Sequence, residues 1–96
     1  MPTFANLPHA DIEVEYPSGN VKTVNMIRLL VHTQNAEFKA KHGMFLPSVG
    51  KLNPTVKALR EEYEIPAKTW AEAGEQLRAF HTALTAAIEE ARHARA

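Results

Sequence analysis

The sequence predicts an α+β domain in which a two-stranded β-hairpin packs on three helices, the C-terminal one long. Three observations predict it. Asp11-Ile12-Glu13-Val14-Glu15-Tyr16 alternates apolar and polar residues, Asn53-Pro54 opens a short amphipathic stretch, and Thr69-x-x-Glu72 opens the longest periodic stretch of the chain. The boundaries read from the sequence are a hairpin over about residues 11–24 and helices over about 26–42, 54–63 and 70–92.

The first ten residues carry two prolines and show no periodicity. In the strand that follows, Ile12, Val14 and Tyr16 share one face, the pattern of a half-buried strand. Pro17-Ser18-Gly19-Asn20 supplies a turn, because proline pre-sets φ and Gly and Asn tolerate positive φ. Val21-Lys22-Thr23-Val24 is the short, β-branched return strand.

Asn25 can cap the first helix. Within that helix Ile27, Leu30, Val31 and Phe38 are expected on the inner side, with Gln34 where another apolar residue would belong. Glu37 and Lys41 stand four apart as a favourable pair, and Gly43 is placed to end the helix in the left-handed conformation. A strand over Met26–Val31 is the competing reading. Gly43 to Gly50 is a loop by its glycines and proline, yet Met44, Phe45 and Leu46 make its middle apolar.

Asn53 caps the second helix, and Pro54 suits its first position because the missing N–H would have had no partner. Val56, Leu59 and Tyr63 form its buried stripe, and Ile65-Pro66 stops it. In the third helix Trp70, Ala73, Leu77, Phe80, Leu84, Ala87 and Ala91 follow at intervals of 3 and 4, with Ile88 and His81 widening the stripe. Such a helix is roughly 34 Å long, more than a small domain spans. Its second half is therefore expected to overhang, with Leu84, Ala87, Ile88 and Ala91 as a dimerisation seam; coverage of the same stripe within one chain is the alternative. Ile12, Val14 and Tyr16 are expected to lean on Ile27, Leu30, Leu59, Leu77 and Phe80, and Trp70 to anchor the junction.

Ninety-six residues form one domain, and 45% hydrophobic with 23% charged residues place it among folding chains. Eleven Lys and Arg balance eleven Asp and Glu, so the overall positive field behind non-specific nucleic-acid binding is missing, and so is the negative field of a DNA mimic. With no cysteine there is neither a disulfide scaffold nor a thiolate metal site. The N-terminus lacks the pattern of a signal peptide and no stretch suits a bilayer, which points to a cytoplasmic protein.

No catalytic, metal or cofactor constellation is readable. Of the five histidines, His9, His32, His42, His81 and His93, no two sit three or four apart. Ser18 and Ser48 lie in no nucleophile elbow, Gly43 and Gly50 match no phosphate loop, and Glu61, Glu62, Glu64, Glu89 and Glu90 read as solvated helix-face charges. A non-enzymatic role follows.

Two binding readings remain. Met44, Phe45 and Leu46, with Lys39, Lys41 and Lys51 around them, form an apolar loop in a segment that carries no acidic residue from Phe38 to Arg60, suited to a protein partner with an acidic surface. The alternative is a small nucleic-acid-associated protein using Lys39, Lys41, Lys51 and Lys57, a reading disfavoured by the overall charge. Burial of the loop residues is the unremarkable reading of both.

The runs Glu37-Phe38-Lys39-Ala40-Lys41-His42-Gly43-Met44, Asn53-Pro54-Thr55 and Glu62-Tyr63-Glu64-Ile65-Pro66-Ala67-Lys68-Thr69 together look like small uncharacterised proteins of tailed phages and prophages, without a named family. The resemblance implies a phage-encoded inhibitor of a host protein, of the anti-CRISPR or another anti-defence type, acting in the host cytoplasm. It carries no assigned activity or site residue with it.

Overall fold

A computed structural model describes residues 3–6, 11–47 and 53–94. The elements are β1 (Thr3–Asn6), β2 (Asp11–Glu15), β3 (Val21–Asn25), α1 (Met26–Lys41), α2 (Pro54–Glu61) and α3 (Trp70–Ala94). The hairpin and the three helices are those the sequence predicts. Met26–Val31 is helix, which settles the one competing assignment.

The strands form an antiparallel sheet in the order β1-β2-β3. The third strand, β1, pairs Thr3 with Glu15 and Phe4 with Val14 before its register shifts. It is too short to show a period of its own, and it takes its partners from the otherwise open edge of β2.

Alternation along β2 does what its pattern promised: Ile12, Val14 and Tyr16 are buried while Asp11, Glu13 and Glu15 face outward. The turn closes with Gly19 N–H donating to Tyr16 O at 2.8 Å and Tyr16 N–H to Asn20 O at 2.9 Å. Gly19 has φ +92°, a value that admits glycine at no steric cost.

Each helix start is held by a side chain. Asn25 Oδ1 accepts from Arg28 N–H at 3.0 Å, and Asn53 Oδ1 from Thr55 and Val56 N–H at 3.0 and 3.2 Å. Thr69 Oγ1 accepts from Glu72 N–H at 3.1 Å, while Glu72 reaches back to Lys68 N–H at 3.3 Å, one residue before the cap. At the other end of α1, Gly43 (φ +65°) donates to Ala40 O and Met44 to Lys39 O, both at 3.1 Å. These two bonds close a Schellman motif and turn the chain sharply away from the helix axis.

α1 and α3 run antiparallel and close together. Lys39 lies near Trp70, and Glu37 lies between Gly74 and Arg78, so position falls along one helix as it rises along the other. One core joins sheet and helices through Ile12, Val14, Val24, Leu29, Val56, Leu59, Leu77 and Leu84. Edge-to-face contacts link Tyr16 to Phe80, Phe80 to Tyr63 and Tyr63 to His32, with centroids 6.0–6.2 Å apart, so aromatic packing runs from β2 across α3 to α1. Burial pushes the Tyr63 phenol up to about 12, so it stays neutral at every physiological pH.

The buried side of α1 is the reverse of the one expected. Leu29, His32, Thr33 and Ala36 are buried, whereas Ile27, Val31 and Phe38 face away from the core. Leu30 is half-buried on the flank. Ile27 therefore does not support β2 as expected. α1 and α3 approach closely along this side: a Cβ on Gly74 would stand 3.2 Å from Glu37 Cγ and 3.6 Å from its backbone. The two polar residues drawn inward are satisfied: Thr33 Oγ1 donates to Leu29 O at 2.7 Å, and His32 Nδ1 meets Thr55 Oγ1 at 2.9 Å. Glu37 also departs from the expected pairing with Lys41 and binds Arg78 through both carboxylate oxygens.

Candidate docking face

Turning α1 over places its most apolar side in water. Ile27 is 70% exposed, Val31 57% and Phe38 58%; beyond the helix end Met44 is 49% exposed and Phe45 96%. Successive residues of a helix advance by 100°, so Ile27, Val31 and Phe38 fall within one narrow strip, with exposed Gln34 between them. Phe38 packs against His42 with the rings tilted and their centroids 4.3 Å apart, which carries the strip to the end of the helix.

The loop after α1 is built to present Phe45. Its main-chain carbonyl accepts from Trp70 Nε1 at 2.9 Å, and the next residue, Leu46, turns inward against the core. Trp70 is itself 2% exposed and lies 5.6 Å from Lys39 Nζ, which stands over its ring. The backbone is thus anchored on both sides of Phe45 while its ring is left outside.

Of the residues expected to bind a partner, Met44, Phe45 and Lys41 are exposed and Lys39 is half-buried beside Trp70. Leu46 is corrected to a core-facing residue. Lys51 lies outside the described residues. Sequence reasoning missed Ile27, Val31 and Phe38, since it assigned them to the core. The available signal was the 4-3-4 spacing of Ile27, Val31, Gln34 and Phe38 together with a second face at Leu29, Thr33 and Ala36.

Of the seam expected on α3, Leu84 does not lie at the surface. Leu84 is fully buried in the core, and Ile88 is partly buried against it, so the chain covers this stripe itself well past the middle of the helix. Ala87 and Ala91 are half-buried. No second chain can reach Leu84 without opening the core.

A second cluster surrounds Glu64. Its carboxylate accepts from Ser18 Oγ at 2.6 Å and Asn20 Nδ2 at 3.1 Å, and Lys22 Nζ lies 3.2 Å away. These donors hold the carboxyl below the usual range. Tyr16 Oη donates to Glu62 O at 2.9 Å, and Lys22 Nζ also donates to Glu61 O, so the hairpin supplies partners for carbonyls at the end of α2. Depressions of about 410 and 300 Å³ flank Glu64, the first edged by Lys22 and Arg60 and the second by Tyr16, Tyr63 and Phe80; neither joins a histidine to a carboxylate. Among the described residues no three His, Asp or Glu side chains converge as metal ligands, and no helix is long and apolar enough to cross a membrane.

Comparison with protein-family models, with curated proteins and with solved structures returns no match, so any reading of the site rests on its own geometry.

Proposed function

We propose that this chain is a non-enzymatic protein-binding module that docks through the outer side of α1 and the loop at Met44 and Phe45. One observation carries the reading: the helix leaves Ile27, Val31 and Phe38 exposed on one strip while His32, Thr33 and Ala36 are buried alongside Leu29. Burying a side chain of the size of Ile, Val or Phe is worth about 1.5–3 kcal/mol, so a fold that leaves three of them on one strip forgoes several kcal/mol that a partner can recover. Contiguous exposed apolar surface of this kind marks interaction sites.

A phage-encoded inhibitor of a host protein is the biological setting we favour. An inhibitor that acts by covering a surface needs a docking face and no catalytic group, and the resemblance to phage proteins supplies the context. Nucleic-acid binding through Lys39, Lys41 and Lys57 is the weaker reading, because eleven Asp and Glu balance eleven Lys and Arg and leave no overall positive field to support it.

The test is capture from extracts of the source cell, and of its host if the chain is phage-encoded, on immobilised wild type and Phe38→Asp. The expected result is a protein retained by the wild type and lost from a variant whose circular dichroism is unchanged. Identical captures by the two would sink the proposal. Captured nucleic acid released steeply by salt would favour the weaker reading.

A further inference from the structure

The outer strip of α1 has a spacing as well as a composition. Ile27, Val31, Gln34, Phe38 and Lys41 follow at intervals of 4, 3, 4 and 3, and all five are exposed. This alternation lets one helix receive another lying alongside it, whereas an extended strand would meet side chains at a period of two. Gln34 stands at a seam position where one polar residue commonly sets the register of a helix pair.

The charges around the strip select among helices. Glu37, the only carboxylate on α1, is bound by Arg78, and Arg28 is bound by Glu62 at 2.6 Å. Neither is free to meet a newcomer. Lys39 and Lys41 have no carboxylate within ion-pair distance among the described residues, and no acidic residue occurs in the chain between Glu37 and Glu61. The uncompensated charge beside the strip is therefore positive. A second copy of the chain is a poor occupant, since it brings the same lysines and no free carboxylate on the matching face.

We infer that the outer face of α1 receives an acidic amphipathic helix of a partner protein. Its apolar side chains seat against Ile27, Val31 and Phe38, and its carboxylates meet Lys39 and Lys41. This inference rests on the docking reading above and names the occupant.

Two synthetic amphipathic helices of about 18 residues, long enough to hold helical structure, test it on the full chain. Both carry the same leucine stripe; one has glutamate and the other lysine at its polar positions. The glutamate peptide is expected to bind at least about tenfold tighter, with amide shifts centred on Ile27, Val31, Gln34, Phe38 and Lys41. The double variant Lys39→Glu with Lys41→Glu reverses the preference, and Phe38→Asp removes binding of either peptide. Equal binding of the two peptides, no binding of the glutamate peptide, shifts elsewhere on the chain, or a wild-type dimer that Phe38→Asp dissociates would each overturn it. If the peptides fail while Phe38→Asp still loses a captured protein, the docking face stands and its occupant is not an acidic helix; if both fail, the docking reading falls too.

Discussion

Gly74 on α3 faces Glu37 on α1 so closely that a Cβ placed on Gly74 would stand 3.2 Å from Glu37 Cγ and 3.6 Å from its Cα. This contact marks the close approach of the two helices. It also fixes the Glu37 carboxylate where Arg78 takes it with Nε at 3.0 Å and with a second nitrogen. Arg78 in turn holds the Glu37 carboxyl below its ordinary value.

Substitution of Gly74 measures that spacing. In Gly74→Ala the gain in helix propensity, about 1 kcal/mol, is opposed by displacement of a Glu37 side chain that Arg78 restrains, and a small net change is expected. Gly74→Leu has no such compensation and should destabilise by about 1–3 kcal/mol through overpacking. Urea denaturation of the three proteins checks the order; a Leu variant as stable as the wild type would mean that the helices are not held apart by this contact.

The orientation of α1 is tested by pairing an outer with an inner substitution. Phe38→Ala and Val31→Ala remove exposed side chains and should each change stability by no more than about 0.5 kcal/mol. Leu29→Ala empties a fully buried position and should cost about 2–5 kcal/mol. The expectation drawn from the sequence, with Phe38 inside, would have the first of these costs as large as the last, so denaturation midpoints distinguish the two orientations directly.

That reversal shows what could be read in the sequence and what could not. The alternation of Ile12, Val14 and Tyr16, the Asn53-Pro54 cap and the Thr69–Glu72 pair are local signals, and each element they announce is present. β1 was not legible because four residues carry no periodicity and pair only once β2 is in place. The face of α1 was not legible because its apolar side and its buried side differ. Hydrophobic patterning selects Ile27, Val31 and Phe38, while the folded core takes Leu29, His32, Thr33 and Ala36. Such a conflict between local pattern and global packing is characteristic of surfaces kept for something other than stability. The same reasoning explains Leu84: length suggested an overhang, but the chain's own core covers the stripe there.

His32 is the buried group through which mild acid should act. It meets Thr55 Oγ1, which also accepts from Asn35 Nδ2 at 2.7 Å. Burial and then the Arg28 guanidinium push the imidazole below 6.5, against a smaller opposing pull from Glu62. Between its folded value and 6.5 the unfolded chain binds a proton that the folded chain does not, so stability is complete above about pH 6.5 and falls as the pH drops below it. The imidazole resonances of His32 should titrate with a midpoint below 6.5, and Arg28→Gln should move that midpoint upward. A midpoint at or above 6.5 in the wild type would remove the basis for this acid sensitivity.

Glu64 combines a backbone cost with a side-chain gain, and two substitutions separate them. Its φ of 51° lies in the left-handed region, which costs a residue with a Cβ roughly 1–2 kcal/mol in general and glycine almost nothing. The conformation aims the carboxylate at Ser18, Asn20 and Lys22 and so ties the hairpin turn to the segment between α2 and α3. Glu64→Ala keeps the backbone cost and loses the tie, whereas Glu64→Gly loses both; the alanine variant should therefore be the less stable of the two. The Glu64 carboxyl is held below 4.5 in the fold, so its contribution is present above that value and is lost as the pH falls through the folded one. Thermal unfolding at about pH 7 and about pH 3 should accordingly show a smaller acid-induced drop in both variants than in the wild type, with the remainder belonging largely to Glu37 and His32. Equal stability of the alanine and glycine variants at neutral pH would mean that the backbone carries no strain at this position, and an undiminished acid drop would place its origin outside the Glu64 cluster.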